Sequence, residues 1–280
     1  MYYISIRTLF SGQKPYLKTN NVTQKNFQNI IFETKGEKAF LTINRPPLNI
    51  LNIAVMEEMN QALNSLAGNK EVKVLVINGS GEKAFSAGVD IADHTADKAE
   101  KMLQVFHDIF RNMLKLDQVT VAALKGLTLG GGCEVALFCD LAIAADNLKI
   151  GQPEIKLSVI APVALLVLPR LVGIKKASEM LLTGKIIEAA EAEKMGLVNK
   201  IVPLASFDSE LESFLQPFSE LSLVGVKHSK KGIKLGLETS FLEGLERIEK
   251  TYLRELLATE DAQEGLKAFM EKRKPLWKNR

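Results

Sequence analysis

Leu129-Gly130-Gly131-Gly132-Cys133-Glu134 is the stretch that decides how this chain is read. Val119–Leu124 before it is apolar and β-branched, and predicts a buried strand. Gly131 to Phe138 predicts a short helix leading into a strand over Leu141–Ala145. A glycine run between strand and helix lets the backbone approach a bound molecule closely. The first N–H groups of such a helix have no internal partner, and the positive end of the helix dipole lies behind them. Alone, a triple glycine is more often a flexible or closely packed turn than an oxyanion hole. It lacks the spaced glycines and distal acid of a dinucleotide site, and the chain has no phosphate-binding Gly-Lys-Ser/Thr loop. Glu134 alone reads as a side chain favoured by the dipole.

Two further stretches change that balance. Gly151-Gln152-Pro153-Glu154 follows twenty residues on, and Ala84-Phe85-Ser86-Ala87-Gly88-Val89-Asp90 lies upstream. Two carboxylates and two glycine-lined turns are the parts needed to add or remove water beside a polarised carbonyl. A backbone N–H aimed at a developing enolate oxygen is worth roughly 3–4 kcal/mol in the transition state. The Ser86–Val89 turn can supply a second such donor. Two nearby carboxylates in a partly desolvated pocket cannot easily both ionise, so one pKa should be raised.

Around these stretches the pattern is α/β. Ile30–Thr34 and Ala39–Asn44 predict a hairpin, residues 53–67 and 97–116 predict helices, and Val72–Asn78 predicts a strand. Strand and helix in alternation imply a largely parallel sheet. From Pro162 onward the pattern is nearly all helical, with stripes over Leu171–Leu182, Glu188–Met195, Phe207–Leu221 and Phe241–Ala258. The expected organisation is a tail over 1–28, an α/β core over 29–200 and a helical C-terminal region over 201–280.

Charge narrows the function. Residues 1–32 carry Arg7, Lys14, Lys18 and Lys25 and no acid; the rest has 32 basic and 33 acidic residues, a net of −1. A neutral body argues against nucleic acid as a main partner. No apolar run approaches a membrane span. Cys133 and Cys139 are too few for a disulfide framework or a zinc site, and fit buried thiols in a reducing compartment. The expected location is the cytoplasm, or an organellar matrix if residues 1–28 are a transit peptide. Lys267, Lys272, Arg273, Lys274, Lys278 and Arg280 face one acid, Glu271. That cluster reads either as a solvated helix end or as a docking site for a phosphorylated ligand. Of the three histidines, His94 lies near the glycine loop and reads first as a surface residue.

Taken together, Ala84 to Ile91, Leu129 to Glu134 and Gly151 to Glu154, with Asn44-Arg45-Pro46, Leu182-Thr183-Gly184 and the tail Glu264 to Pro275, resemble the crotonase (enoyl-CoA hydratase/isomerase) superfamily in order and spacing. The resemblance runs from about residue 30 to the C-terminus. It implies a spiral of ββα repeats with a helical trimerisation region, assembling as a homotrimer or dimer of trimers. It implies that the backbone N–H groups of Val89 and Gly131 hold a thioester oxygen and that Glu134 and Glu154 are the catalytic carboxylates. It assigns coenzyme A and substrate contacts to Ala87, Asp90, Ile91, Ala92, Phe269 and Lys272. The substrate is then an acyl-CoA thioester, with no metal and no cofactor beyond the CoA it carries. Retention of both glutamates favours hydration over isomerisation; the alternatives are a straight-chain enoyl-CoA hydratase, or an enoyl-CoA isomerase or thioester hydrolase on the same fold.

One segment departs from the pattern. Hydratases of the family usually follow the second glutamate with Ile-Pro-Gly-Ala-Gly-Gly; this chain has Ile160-Ala161-Pro162-Val163-Ala164-Leu165 and is one residue shorter. Apolar residues replace glycines whose N–H groups could position water, and Pro162 has no N–H. Arg45 to Leu51 and Phe85 to His94 resemble one branch in particular, the cyclohexa-1,5-diene-1-carbonyl-CoA hydratases, which add water 1,4 across a cyclic dienoyl-CoA. A flat apolar ring suits a pocket walled by Val163, Leu165 and Leu166.

Overall fold

The computed structural model describes residues 22–25 and 27–280. Two sheets organise the chain. The larger has seven strands: β1 (Val22–Lys25), β2 (Ile30–Lys35), β3 (Lys38–Ile43), β4 (Val74–Gly79), β6 (Val119–Leu124), β8 (Leu141–Ala145) and β11 (Lys200–Val202), side by side in that order. The first two pairings are antiparallel and the remaining four parallel. β1 falls inside the stretch read as a tail: Val22 lies opposite Lys35 and Lys25 opposite Phe32. Residues 1–21 of that stretch lie outside the described residues.

Period-two alternation divides the central strands between two cores. Leu75 and Ile77 of β4, Ala122 and Leu124 of β6, and Ala142 and Ala144 of β8 face one side. Val74, Val76, Val121, Ala123, Ile143 and Ala145 face the other. Burial on both faces is what gives these strands continuous apolar runs. Helix α1 (Ile53–Leu66) seals the first side with Val55, Met56, Met59, Leu63 and Leu66, each such side chain worth about 1.5–3 kcal/mol when buried. Asn52 caps it, accepting from the Val55 N–H at 3.0 Å. Helix α2 (Ala99–Met113) packs beside it through Met102, Phe106, Ile109 and Phe110. Helix α7 (Phe207–Ser219) closes the second side with Phe207, Leu211 and Leu215.

The smaller sheet has four strands in the order β10 (Ile186–Glu188), β9 (Lys149–Gly151), β7 (Leu127–Leu129) and β5 (Ala84–Ser86). β5, β7 and β9 run parallel. Helix α3 (Gly131–Phe138) begins just after β7. The apolar run after Glu154 forms helix α4 (Pro162–Val172), and Gly173 separates it from α5 (Ile174–Thr183). Helix α6 (Ala189–Lys194) precedes β11. Beyond α7 come α8 (Leu223–Glu238), α9 (Phe241–Thr251), a π-helical turn over Tyr252–Leu256 and α10 (Glu260–Met270). This mixed α/β architecture with its helical C-terminal end is the fold class expected from the sequence. No stripe marks α8 in advance, and the single helix expected over Leu171–Leu182 is instead two, broken where Gly173 takes φ +76°.

Candidate active site

Three parallel strands deliver the three glycine-associated stretches to one place. β5 ends at Ser86, β7 at Leu129 and β9 at Gly151, and the chain turns after each. Leu129 pairs with Gly151, and the Gly130 N–H donates to the Gly151 carbonyl at 3.1 Å. Val89, Glu134 and Glu154 therefore emerge at the carboxyl ends of neighbouring strands, where parallel sheets characteristically bind ligands.

Two glycines make the approach possible. Gly88 has φ +110°, and a Cβ there would lie 3.2 Å from the Leu129 carbonyl and 3.7 Å from Gly131 N. Gly130 has φ +53°, and a Cβ there would lie 2.8 Å from Glu154 Oε1. The loop after β5 thus rests directly on the turn that opens α3, with the Glu154 carboxylate against the same turn. The loop is fixed from its other side: Ala87 N–H donates to Leu48 O, Leu51 N–H to Gly88 O and Asp90 N–H to Leu51 O. The Gly88 N–H donates to Ser86 Oγ. Neither the Val89 N–H nor the Gly131 N–H has an acceptor among the described residues. The two amides expected to hold an oxyanion are free and adjacent.

The glutamates sit in unequal surroundings. Glu134 is only 2% exposed. Its Oε1 accepts from the N–H groups of Val163 at 2.8 Å and Ala164 at 3.0 Å, in the first turn of α4. Burial raises its pKa from 4.5 to about 7, and the charge of Glu154 adds to the rise; the two amides oppose it. Glu154, half-buried, is also raised, chiefly by burial, while its own backbone N–H and the charge of His94 pull the other way. With its amide nitrogen turned to the carboxylate, Gln152 donates to both Glu154 oxygens at 3.0 Å. Cys133, buried between them, has its thiol pushed up by desolvation and then by the two carboxylates. It is an apolar neighbour rather than a nucleophile.

The altered segment after Glu154 takes a different part from the one its composition suggests. Its amides are not lost to the site: those of Val163 and Ala164 hold Glu134, and Pro162, lacking one, occupies the first helical position where none is needed. Of the three proposed walls, Val163 packs against the core, whereas Leu165 and Leu166 are 42% and 68% exposed and enclose nothing in the single chain. They are α4's outward residues, while Ala164 and Leu168 face in.

The other expected ligand contacts divide into two groups. Ala87, Asp90, Ile91 and Ala92 stay with the site. Asp90 accepts from the Ala92 N–H at 3.2 Å, which starts a turn of 3-10 helix over Ile91–Asp93, and Arg45 holds its other oxygen at 3.3 Å. Ile91 is exposed beside them. Phe269 and Lys272 are elsewhere, at the end of α10, with no hydrogen bond to the strand-end loops. Phe269 is 85% exposed. Most of the basic cluster is neutralised locally: Arg273 pairs with Glu264 and Glu271, and Lys278 and Arg280 with Glu260. Lys272 has no such partner among the described residues.

Two residues do more than the sequence assigned to them. Asn49, fully buried with φ +51°, accepts from the Arg45 N–H and Ser80 Oγ and donates to the carbonyls of Ser80 and Ala84, tying the Pro46-Pro47 loop to β5. Its signal was an Asn after two prolines, a residue that tolerates the left-handed region. His94 is exposed, yet it is the charged neighbour that lowers Glu154. Its Nδ1 lies 3.0 Å from the Asp90 carbonyl, which makes that nitrogen the protonated one.

An acid–base pair beside two free amides at strand ends defines a class: enzymes that polarise a carbonyl and move water or protons next to it. The chain belongs to the enoyl-CoA hydratase/isomerase family, matching it over residues 33–280. It is 37% identical over 258 residues to a probable enoyl-CoA hydratase of Rhizobium meliloti, covering 91% of this chain and all of the relative. It is 35% identical over 250 residues to the cyclohexa-1,5-dienecarbonyl-CoA hydratase of Thauera aromatica, covering 89% and 95%. The crystal structure of an enoyl-CoA hydratase from Bacillus anthracis superposes with a TM-score of 0.85 at 30% identity, covering 90% of this chain and all of that one. The protein is accordingly an enzyme of the hydro-lyase class. Among the described residues no helix is long and apolar enough to cross a membrane, and no group of three or more His, Cys, Asp and Glu could hold a metal ion.

Proposed function

We propose that the protein adds water to a conjugated acyl-CoA thioester, and that its substrate is cyclohexa-1,5-diene-1-carbonyl-CoA. The observation that carries the hydratase reading is the unequal pair: a carboxyl with its pKa near 7 beside a second, more open carboxylate, both against two unpaired amides. The thioester oxygen sits between the N–H groups of Val89 and Gly131. Glu154, ionised and steadied by Gln152, takes a proton from water. The water oxygen bonds to the ring carbon β to the thioester, and the displaced electron pair moves to the thioester oxygen. Its return places a proton from Glu134 on the far diene carbon, giving 6-hydroxycyclohex-1-ene-1-carbonyl-CoA. Because Glu134 Oε1 already accepts two N–H groups, the transferable proton belongs on Oε2.

Support for the cyclic substrate is the pair of stretches Arg45–Leu51 and Phe85–His94, together with the likeness to the Thauera enzyme. Asn49 and Asp90 give those stretches a physical role, since they fix the loop that carries the Val89 amide. Coenzyme A is held by Ala87, Asp90, Ile91 and Ala92 at one end. Phe269 and Lys272 complete its site from another copy in a trimer, a reading supported by their separation from the strand-end loops. The exposed apolar residues Phe241, Leu242 and Leu253 of the C-terminal helices are the surface that such an assembly covers. A second reading, a straight-chain enoyl-CoA hydratase, is favoured by the name of a Clostridium acetobutylicum relative 35% identical over 251 residues, a short-chain-enoyl-CoA hydratase.

The test is a purified enzyme offered cyclohexa-1,5-diene-1-carbonyl-CoA and crotonyl-CoA in parallel, with products identified by mass. Faster hydration of the cyclic diene is expected. Hydration of crotonyl-CoA alone would leave the second reading standing, and hydration of neither by folded protein removes both.

A further inference from the structure

A cavity that neither glutamate lines lies between α8 and the core. Its volume is ≈ 830 Å³, within the ~300–1,000 Å³ range of small-molecule sites. Phe138, Leu141 and Val167 of the core line it with Ile233 and Leu237 of α8 and Trp277, and the α8 side opens to solvent, Ile233 and Leu237 being 69% and 61% exposed. An apolar cavity of this kind needs no charge, yet three cations enter it: Arg170, Lys230 and Lys234.

Their partners are unevenly distributed. Lys230 is committed, 2.7 Å from Asp140 and 2.8 Å from the Gln118 carbonyl. Lys234 is half-buried and has neither an ion pair nor a hydrogen bond among the described residues, and Arg170 has none either. Among the described residues the carboxylates lining the cavity are Asp140, already taken, and Glu238, which lies beyond ion-pair distance of Lys234. Three cations against two carboxylates leave one positive charge over. Burial, then the like charge of Lys230, holds the Lys234 ammonium below its ordinary range. A cation so placed is costly unless an anion joins it.

We infer that this cavity is a binding site for an amphiphile with one carboxylate and an apolar tail, the tail lying along Phe138, Ile233, Leu237 and Trp277 and the carboxylate meeting Lys234 and Arg170. Neither cation has a hydrogen bond or ion pair to the strand-end loops among the described residues, although the cavity shares α3 and α4 with Glu134. Charge complementarity selects a monoanion over an uncharged lipid, and the apolar lining selects a fatty-acid-like body over inorganic anions.

Trp277 is the single tryptophan of the chain and lines the cavity, so its emission reports occupancy. Titration of the intact protein with dodecanoate should give a saturable change, and dodecan-1-ol a much weaker one. Lys234→Met should weaken dodecanoate at least about tenfold, the worth of one charged hydrogen bond, while leaving dodecan-1-ol and crotonyl-CoA turnover unchanged. Lys234→Arg should retain dodecanoate. The inference is overturned if dodecanoate gives no saturable change, if the alcohol binds equally well, or if Lys234→Met leaves dodecanoate untouched. A change of oligomeric state in Lys234→Met, seen by sedimentation, also overturns it, because a second copy is then the occupant.

Discussion

The ends of β5, β7 and β9 and the end of α10 both carry residues expected to meet the same ligand, but they are built in opposite ways. At the strand ends almost every group is committed. Backbone hydrogen bonds fix the loops, glycines admit contacts closer than any side chain allows, and the amides of Val89 and Gly131 are left without an acceptor among the described residues. At the end of α10, Phe269 projects into solvent and Lys272 has no ion-pair partner among the described residues, whereas Arg273 and Lys278 are paired. A site that does chemistry must be preorganised, since a misplacement of ~1 Å can cost about a hundredfold in rate. A site that only binds can wait for ligand or a partner to order it. Under the proposed function, the first region sets the rate and the second the affinity.

The sharpest way to break that assignment is at Gly130. Gly130→Ala adds a methyl group 2.8 Å from Glu154 Oε1 on backbone of positive φ. It should cut kcat about a hundredfold and cost about 1–3 kcal/mol of stability, measured by steady-state hydration and by denaturant unfolding. Near-normal kcat would mean that the strand-end packing is looser than described.

The burial of Glu134 makes a prediction about stability. Its carboxyl pKa is raised from 4.5 to about 7, so the folded chain holds the proton more tightly than the unfolded chain. That contribution, about 3 kcal/mol, is fully present below the unfolded value and is lost as pH rises through about 7. Glu134→Gln cannot titrate, so its Tm should fall less than the native enzyme's between about pH 5 and 7. Parallel Tm profiles would show that Glu134 is ionised throughout.

At the other region the expected effects are smaller and of another kind. Phe269→Ala and Lys272→Ala should each raise KM about five- to tenfold through lost contacts with the coenzyme, with kcat nearly unchanged. A fall in kcat instead would erase the division of labour between the two regions. The smallest effect is expected at His94. Its charge lowers Glu154, so His94→Ala should move the acid limb of the kcat/KM profile to higher pH. An unmoved limb would remove His94 from the neighbourhood that matters.

How much of this was legible in the sequence depended on local signals. Helix α3 and strand β8 fall where the glycine triplet and the apolar run Leu141–Ala145 placed them. The four strands of the smaller sheet are three residues each, too short to show a period, so the element that assembles the site left no pattern. Helix α8 carries Gly225, Gly232 and Gly236 among its lysines, which lowers helix propensity and blurs its stripe. Glu134 and Glu154 were legible as residue types in glycine contexts. What held them was not, since the amides of Val163 and Ala164 come from a helix whose sequence suggested only an apolar wall.

The central claim is that both glutamates act in one hydration step, and single-residue kinetics test it most directly. Glu134→Gln and Glu154→Gln, both folded, should each lower kcat for hydration by ~10²–10⁴, the usual worth of a positioned acid or base. If either variant hydrates the thioester at close to the native rate, the paired mechanism is wrong and one carboxylate suffices.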